Sequence, residues 1–341
     1  MESNRPPWAR LQGPSIGPRA LACVGVAAAI FGWSAAMAQA LPQGPLTLVV
    51  PYPPGGVSDV LARGFAPAFG HLVDRPIIVE NLSGASGSIA ATRFLGAVPN
   101  GSQILVGSPT ETVLAPLTIK SLKYRAADFR LLGVLYSAPV ALYVRPDLDA
   151  RTVDDLADPA RRAGKPLNYG SPGSGSLYHI VTEKLRSTMA IEAVHVPYRG
   201  GAPMLQDLMA GTIDFTMLPQ DNVLGALVDT GKLRMLGVAA DHRSARRPDV
   251  PTFDESARAK GIGRPSVWVG LFVPRTMPPQ LVAQLHQTIV QALGQPQTRL
   301  ALEATGGAVP AAMGLPEAEA FYAREMRILQ DLAKAADVQP N

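Results

Sequence analysis

Short runs of branched apolar residues alternate along this chain with stretches of helical periodicity. Residues 46–50, 76–82 and 103–108 have the composition of strands. Between them, residues 61–72 and 86–98 place apolar side chains at helical spacing. Strand–helix–strand units of this kind form a parallel sheet with right-handed crossovers, so the pattern predicts an α/β fold.

The same alternation continues to the end of the chain. We predict further strands at residues 140–146, 167–171, 193–198, 213–219 and 233–240. We predict the intervening helices at residues 152–164, 176–189 and 202–211. An aromatic-rich strand at residues 267–274 precedes two closing helices, at residues 278–294 and 316–336.

The number of these units exceeds what one ordinary domain holds, since the chain has 341 residues. No Ser/Gly-rich or acidic linker divides it, which favours two α/β lobes joined by strand crossings. We place the crossings near residues 138 and 264. Lobe 1 then comprises residues 39–138 and 264–341, and lobe 2 comprises residues 139–263.

The first 38 residues have the pattern of a targeting segment. Three arginines precede an apolar run at residues 20–38, which ends in the small-x-small sequence Ala36-Met37-Ala38. This pattern predicts a secretory signal peptide that is cleaved after Ala38, and a soluble, exported mature protein. A membrane anchor is the alternative, because the run is about as long as the shortest membrane span.

Composition excludes several classes of function. The single cysteine, Cys23, lies in the predicted signal peptide, so the mature chain has no thiol for a nucleophile, a metal site or a disulfide. The net formal charge is only +4, and no basic patch with interleaved aromatic residues is present. We therefore expect no nucleic-acid partner.

Three turns rich in glycine and proline each follow a predicted strand and precede a predicted helix. They occupy residues 51–59, 170–179 and 197–204. In open α/β sheets, ligands bind beyond the carboxyl ends of the strands. The first amides of a helix have no intrahelical acceptor, and glycine leaves them accessible, so each turn is a candidate anion site.

A carboxylate suits these turns, because its two oxygens accept several N–H bonds at once. The groups offered are the amides of Gly55, Gly56, Val57 and Ser58 and the hydroxyls of Ser171, Ser174 and Ser176. A phosphate is an alternative guest, but the chain has neither G-x-x-x-x-G-K-[ST] nor G-x-G-x-x-G, which disfavours a nucleotide. One Gly-Gly turn is usually only a tight corner, whereas three on consecutive units favour a site.

Two charged residues near these turns have two interpretations each. Asp59 stands in the first helical turn, where capping is favoured over contact with a ligand. Arg199 could pair with a carboxylate or be a solvated surface residue.

An enzyme is the rival class of protein. Ser174 or Ser176 near His179 suggests acyl transfer, but no G-x-S-x-G elbow is present and Ser176 is poorly placed for that base. His179 and Glu183 could contact a metal, although one pair does not make a site. We find no set of nucleophile, base and orienting group, and we expect no enzyme, metal or cofactor.

Several motifs resemble the Bug family, the periplasmic receptors of tripartite tricarboxylate transporters. The similarity begins in LVVPYPPGGVSDVLAR at residues 48–63 and continues in IVENLSGASGSIAA at residues 78–91. It extends through GSPGSGSLYHIVTEKL at residues 170–185 and HVPYRGGAPMLQDLMAGTID at residues 195–214, and it covers essentially all of the mature chain.

This resemblance implies a type II periplasmic binding fold, with two lobes that close around a small organic acid. It also implies that residues 52–58 and 171–176 hold a ligand carboxylate, with His179 behind the second turn. Residues 108–116 and 217–222 depart from the family pattern, so Pro109, Thr110 and Gln220 are expected to select the rest of the ligand. The candidate ligand-binding residues are Tyr52, Pro54, Gly55, Gly56, Val57, Ser58, Ser108, Thr110, Ser171, Gly173, Ser174, Gly175, Ser176, His179, Arg199 and Gln220.

The resulting expectation is a monomeric periplasmic receptor for a small carboxylate. It would serve the inner-membrane subunits of a tripartite tricarboxylate transporter, or a sensor protein. A periplasmic enzyme on the same fold is the alternative. An aliphatic di- or tricarboxylate, an acidic amino acid and an aromatic acid all remain open as ligands.

Overall fold

Residues 41–336 are described by the computed structural model, and within them strands and helices alternate as the sequence predicts. The strands are Leu46–Val50 (β1), Ile77–Asn81 (β2), Gln103–Gly107 (β3), Phe129–Val144 (β4), Leu167–Ser171 (β5), Ala193–Pro197 (β6), Phe215–Pro219 (β7), Arg234–Val238 (β8) and Ser266–Pro274 (β9). The helices are Val57–Val73 (α1), Ser88–Gly96 (α2), Ala115–Thr118 (α3), Asp158–Ala163 (α4), Leu177–Met189 (α5), Gly201–Ala210 (α6), Asn222–Asp229 (α7), Pro279–Gly294 (α8), Pro296–Glu303 (α9) and Leu315–Ala335 (α10). The predicted signal peptide and its cleavage site lie outside the described residues.

The first sheet has the order β2-β1-β3-β9-β4. Strand β1 pairs in parallel with β2 and β3, as predicted, whereas β9 is antiparallel to both of its neighbours. Its core is rich in aromatic residues. Trp268 is fully buried and meets Tyr322 of α10 edge to face, with ring centroids 6.1 Å apart.

The second sheet has the order β8-β4-β7-β5-β6. Strand β5 is parallel to β6 and β7, and β4 is antiparallel to β7 and β8. Helix α5 covers this sheet because Ile180, Val181 and Leu185 recur at helical spacing and are fully buried.

One long strand belongs to both sheets. Residues 129–139 of β4 pair with β9, and residues 140–144 pair with β7 and β8. At the change of partner, the amide of Gln220 donates to the carbonyl of Pro139 at 2.9 Å. This change lies beside the predicted first crossing, while the predicted lobe boundaries themselves stay a prediction.

Apart from the greater length of β4 and the short helix α3, the structure differs from the prediction in the following elements. Residues 152–164 form a 3₁₀ turn, Asp154–Ala157, followed by α4, because Pro159 at the helix start lacks the N–H that an interior position needs. Helices α7 and α9 were not predicted. Both are short, and α7 begins where the side chain of Asp221 accepts the amide of Leu224 at 2.8 Å. No helix within residues 41–336 combines the length and apolar character needed to cross a bilayer.

Candidate functional site

The turn between β1 and α1 is held by its own hydrogen bonds. Gly55 has φ of +81°, a left-handed conformation that favours glycine. Its amide donates to Oδ2 of Asp59 at 2.9 Å, and the amide of Gly56 donates to the carbonyl of Pro53 at 3.3 Å. Two of the four amides that the sequence suggests for an anion therefore already have acceptors within the turn.

The amides that remain open are one step further along the chain. Gly56 is the N-cap of α1 and has no side chain to cap it. Among the described residues, no acceptor bonds to the amides of Val57, Ser58 and Asp59. Because α1 has 17 residues, its dipole adds partial positive charge at this point. The first turn can therefore bind an anion through three adjacent N–H groups.

Asp59 is fixed by partners that stabilise the turn. Its carboxylate accepts from Gly55, from Nε of Arg63 at 3.0 Å and from Nδ2 of Asn81 at 3.0 Å. Burial acts to raise the pKa of Asp59, but these hydrogen bonds outweigh it and lower the pKa. The side chain is buried, which agrees with the capping interpretation rather than with ligand contact.

A buried acid that sequence reasoning missed lies directly behind this turn. Oε2 of Glu111 accepts from the hydroxyl of Tyr52 at 2.8 Å and from Oγ of Ser108 at 2.7 Å. Oε1 accepts the amide of Ser108. Glu111 is completely buried in a π-helical turn, Thr110–Leu114, and burial raises its pKa to about 7.

Glu111 had a weak signal in the sequence. It is the one charged residue within the segment GSPTETVLAP, residues 107–116, which follows the predicted strand 103–108. A charged residue inside an apolar segment at the carboxyl end of a strand is a site candidate. Its contacts with Tyr52, however, join residues 59 positions apart and depend on the tertiary fold.

The turn between β5 and α5 is also self-bonded. Oγ of Ser171 donates to the carbonyl of Gly173 at 2.9 Å, and Oγ of Ser176 accepts the amide of His179 and caps α5. The amide of Gly175 donates to Nδ1 of His179 at 3.0 Å. His179 thus lies behind the second turn, and its Nδ1 accepts a backbone proton rather than activating a serine.

The second turn lies against residues from the loops that flank α2 and α3. The amide of Leu177 donates to Oγ1 of Thr110 at 3.4 Å, and Oγ of Ser86 donates to the carbonyl of Ser174 at 3.1 Å. A Cβ at Gly175 would overlap Oγ1 of Thr118. The structure therefore brings the Ser171–Ser176 turn to Thr110, two residues from Ser108.

Two histidines support the second turn from behind. The rings of His179 and His195 stack with centroids 3.9 Å apart, and Nε2 of His195 is 2.7 Å from Oγ of Ser171. Burial, and then the neighbouring His179, lower the pKa of His195 to about 4. Burial also lowers the pKa of His179. Both rings are neutral at pH 7, so neither supplies a positive charge for an anion.

Arg199 and Gln220 do not join the two turns through any hydrogen bond. Arg199 is exposed, and within residues 41–336 it has no hydrogen-bond or ion-pair partner. Gln220 bonds through its amide to Pro139, where β4 changes partner. Among the described residues, no three His, Asp or Glu side chains converge as a metal site, so His179 and Glu183 lack a third ligand.

The sequence and structure of this chain were compared with those of known proteins, and the matches identify its family. A family model described as "Tripartite tricarboxylate transporter family receptor" matches residues 61–333. Protein BugT of Bordetella pertussis is 28% identical over 316 residues, which are 91% of this chain and 94% of that protein.

Two solved structures from Rhodopseudomonas palustris are similar over nearly their whole lengths. MatC, solved with bound malate, is 29% identical with a TM-score of 0.74 and covers 87% of this chain and 99% of its own. A second protein, solved with adipate, is 29% identical with a TM-score of 0.79 and covers 89% of this chain and 100% of its own.

The fold and these similarities define a periplasmic binding protein with two α/β lobes, which confirms the predicted fold class. The chain belongs to the receptor family of tripartite tricarboxylate transporters, as the sequence motifs predict.

Proposed function

We propose that this chain is a periplasmic receptor that captures a small organic carboxylate between its lobes for an inner-membrane tripartite tricarboxylate transporter. The observation that carries the proposal is the row of open amides at Val57, Ser58 and Asp59, at the start of a long helix. The malate and adipate bound to the two structural relatives support a carboxylate as the ligand.

In this proposal, the first turn supplies most of the binding energy for the anion. Each N–H donates to a charged oxygen, and hydrogen bonds of this kind are stronger than neutral ones. Contacts such as that between Leu177 and Thr110 then close the second lobe over the ligand. A ligand that contacts both lobes favours the closed state, because it binds that state more tightly.

The other residues predicted for the site have roles in the same proposal. Tyr52, Ser108 and Thr110 line the ligand on the side of the first lobe, and Gly173 to Ser176 do so on the second. Pro54, Gly55 and Gly56 shape the first turn, and His179 supports the second. Arg199 and Gln220 are retained as candidates at the edge of the cleft. The exported chain acts as a monomer, and binding without turnover is its activity.

A screen of small organic acids tests the function. We expect at least one carboxylate to raise the melting temperature by several degrees, since a ligand at 100 times its Kd adds about 2.7 kcal/mol of stability. Inorganic phosphate and the uncharged amide of the same acid are the controls. Failure of every acid, or a larger shift with phosphate, would contradict a carboxylate receptor. Assay of the same mixtures for consumption of the acid distinguishes a receptor from an enzyme.

Gly175→Ala is expected to weaken binding of the best acid about tenfold. The added Cβ overlaps the side chain of Thr118 in the other lobe, so the closed arrangement becomes harder to reach. Gly175 also has φ of +72°, and Gly211→Ala is therefore the control, since Gly211 has φ of +78° and no close contact. Isothermal titration measures both variants. Equal losses in the two would show that backbone strain, rather than closure, is responsible.

A further inference from the structure

The hydroxyl groups of Tyr52 and Ser108 both donate their hydrogen to the same carboxylate. Oε2 of Glu111 accepts from Tyr52 at 2.8 Å and from Ser108 at 2.7 Å. An ionised carboxylate can only accept, and each hydroxyl has only one hydrogen to donate. Once both hydrogens point at Glu111, the hydroxyl oxygens can act only as acceptors toward any other group.

These oxygens lie at the same edge of the sheet as the proposed anion site. Tyr52 is in the turn that presents the open amides, and Ser108 follows β3 at the same edge of the sheet. Thr110, two residues on, contacts Leu177 of the second lobe. Oγ of Ser108 already accepts the amide of Thr110 at 3.3 Å and lies 3.4 Å from the hydroxyl of Tyr52. Tyr52 itself is partly exposed.

Within the described part of the chain, no cation compensates the charge of Glu111. The titratable side chains that face it from neighbouring elements are Tyr52, Tyr124 and Tyr322. Burial raises the pKa of each of these tyrosines, so all three are neutral at pH 8. Within residues 41–336, Glu111 forms no ion pair. A second carboxylate of a ligand would therefore meet a like charge and two acceptors.

We propose that Glu111 determines the ligand class of this receptor by making this end of the cleft accept a hydrogen-bond donor. The ligand is then a carboxylate whose far end carries a hydroxyl or ammonium group, rather than a second carboxylate. The inference rests on the proposed function, since the first carboxylate occupies the amides of α1.

The test compares acids that differ only at the far end. Straight-chain α,ω-diacids of four to six carbons are titrated beside the ω-hydroxy and ω-amino acids of equal length, by calorimetry at pH 8. Glu111 is mostly ionised there, since its pKa is raised to about 7. We expect the best ω-hydroxy or ω-amino acid to bind about tenfold more tightly than the diacid of the same length.

Glu111→Gln tests the assignment to this residue. The glutamine amide donates toward Tyr52 and Ser108, so their hydroxyl hydrogens are free to turn to the ligand. In this variant, the preference for the ω-hydroxy or ω-amino acid over the diacid should fall to about threefold or less, or reverse. Glu325→Gln is the matched control. Glu325 is also an acid whose pKa is raised by burial, but it accepts from Nε1 of Trp268 at 3.2 Å. Its variant should keep the wild-type preference.

The outcomes separate this inference from the receptor function. If no acid of any series binds, the proposed function fails. If acids bind but the diacid is equal or better in the wild type, or if Glu111→Gln keeps the full preference, the role of Glu111 is refuted while the receptor function stands. Tyr52→Phe gives a second reading at another residue: because it removes one of the two acceptors, it should reduce the preference for the ω-hydroxy acid over the diacid.

Discussion

Gly56→Asp weakens binding of the carboxylate ligand about a hundredfold while the protein keeps its stability. Gly56 is the N-cap of α1 and has extended backbone, with φ of −75° and ψ of 165°. A Cβ there meets only the carbonyl of Pro53, at an ordinary 3.4 Å. Aspartate is a preferred N-cap residue, so its carboxylate accepts the amides of Ser58 and Asp59 and takes the place of the ligand.

Two measurements decide this prediction. Calorimetry gives the affinity for the best acid of the screen, and denaturant unfolding gives the free energy of unfolding, expected to change by less than about 1 kcal/mol. Gly56→Ala is the control, because alanine adds a Cβ but neither caps the helix nor carries charge. Wild-type affinity in Gly56→Asp would remove this turn from the site. An equal loss in Gly56→Ala would attribute the effect to the added bulk.

Glu111 is expected to make the free protein less stable as the pH rises. Its pKa is about 7 in the folded chain, against 4.5 when it is unperturbed. Between these values the folded state holds a proton that the unfolded state has lost, so the free energy of unfolding falls with rising pH. The difference in pKa corresponds to about 3 kcal/mol, present below pH 4.5 and lost above pH 7.

The measurement must compare wild type with Glu111→Gln, because another group titrates in the same window with the opposite sign. His195 has its pKa lowered to about 4, so the unfolded state holds the extra proton and this histidine adds stability as the pH rises. Denaturant unfolding at pH 5 and pH 8, without ligand, gives the stability of each protein. The difference in the free energy of unfolding between wild type and Glu111→Gln should change by about 3 kcal/mol from pH 5 to pH 8. If this difference in the free energy of unfolding is the same at both pH values, Glu111 is not buried as described.

Much of the fold follows from local patterns, which explains why the sequence predicts it. Strand β5 at 167–171 has the predicted bounds because its apolar run ends in glycine and serine. The two glycine turns were found because strand, turn and helix signals occur in that order along the chain. The length of β4 was missed, since residues 129–139 pair with β9, and nothing near them in the sequence indicates that partner.

The parts of the site that the sequence could not predict depend on distant contacts. Gly55 and Gly56 were expected to offer their amides, but Asp59 and Pro53 accept them. Glu111 matters because Tyr52 reaches it across 59 residues, and a pattern of short range cannot show this. The glycine-rich turns in the sequence thus indicated where an anion site could lie. Only the hydrogen bonds in the structure show which backbone amides have no acceptor.

The position of β9 has a consequence for how this protein is made. It pairs between β3 and β4, although it is the last strand to be synthesised. The sheet that carries the open amides therefore lacks the strand between β3 and β4 until residue 274 has been synthesised. The strands of the other sheet are all synthesised by residue 238.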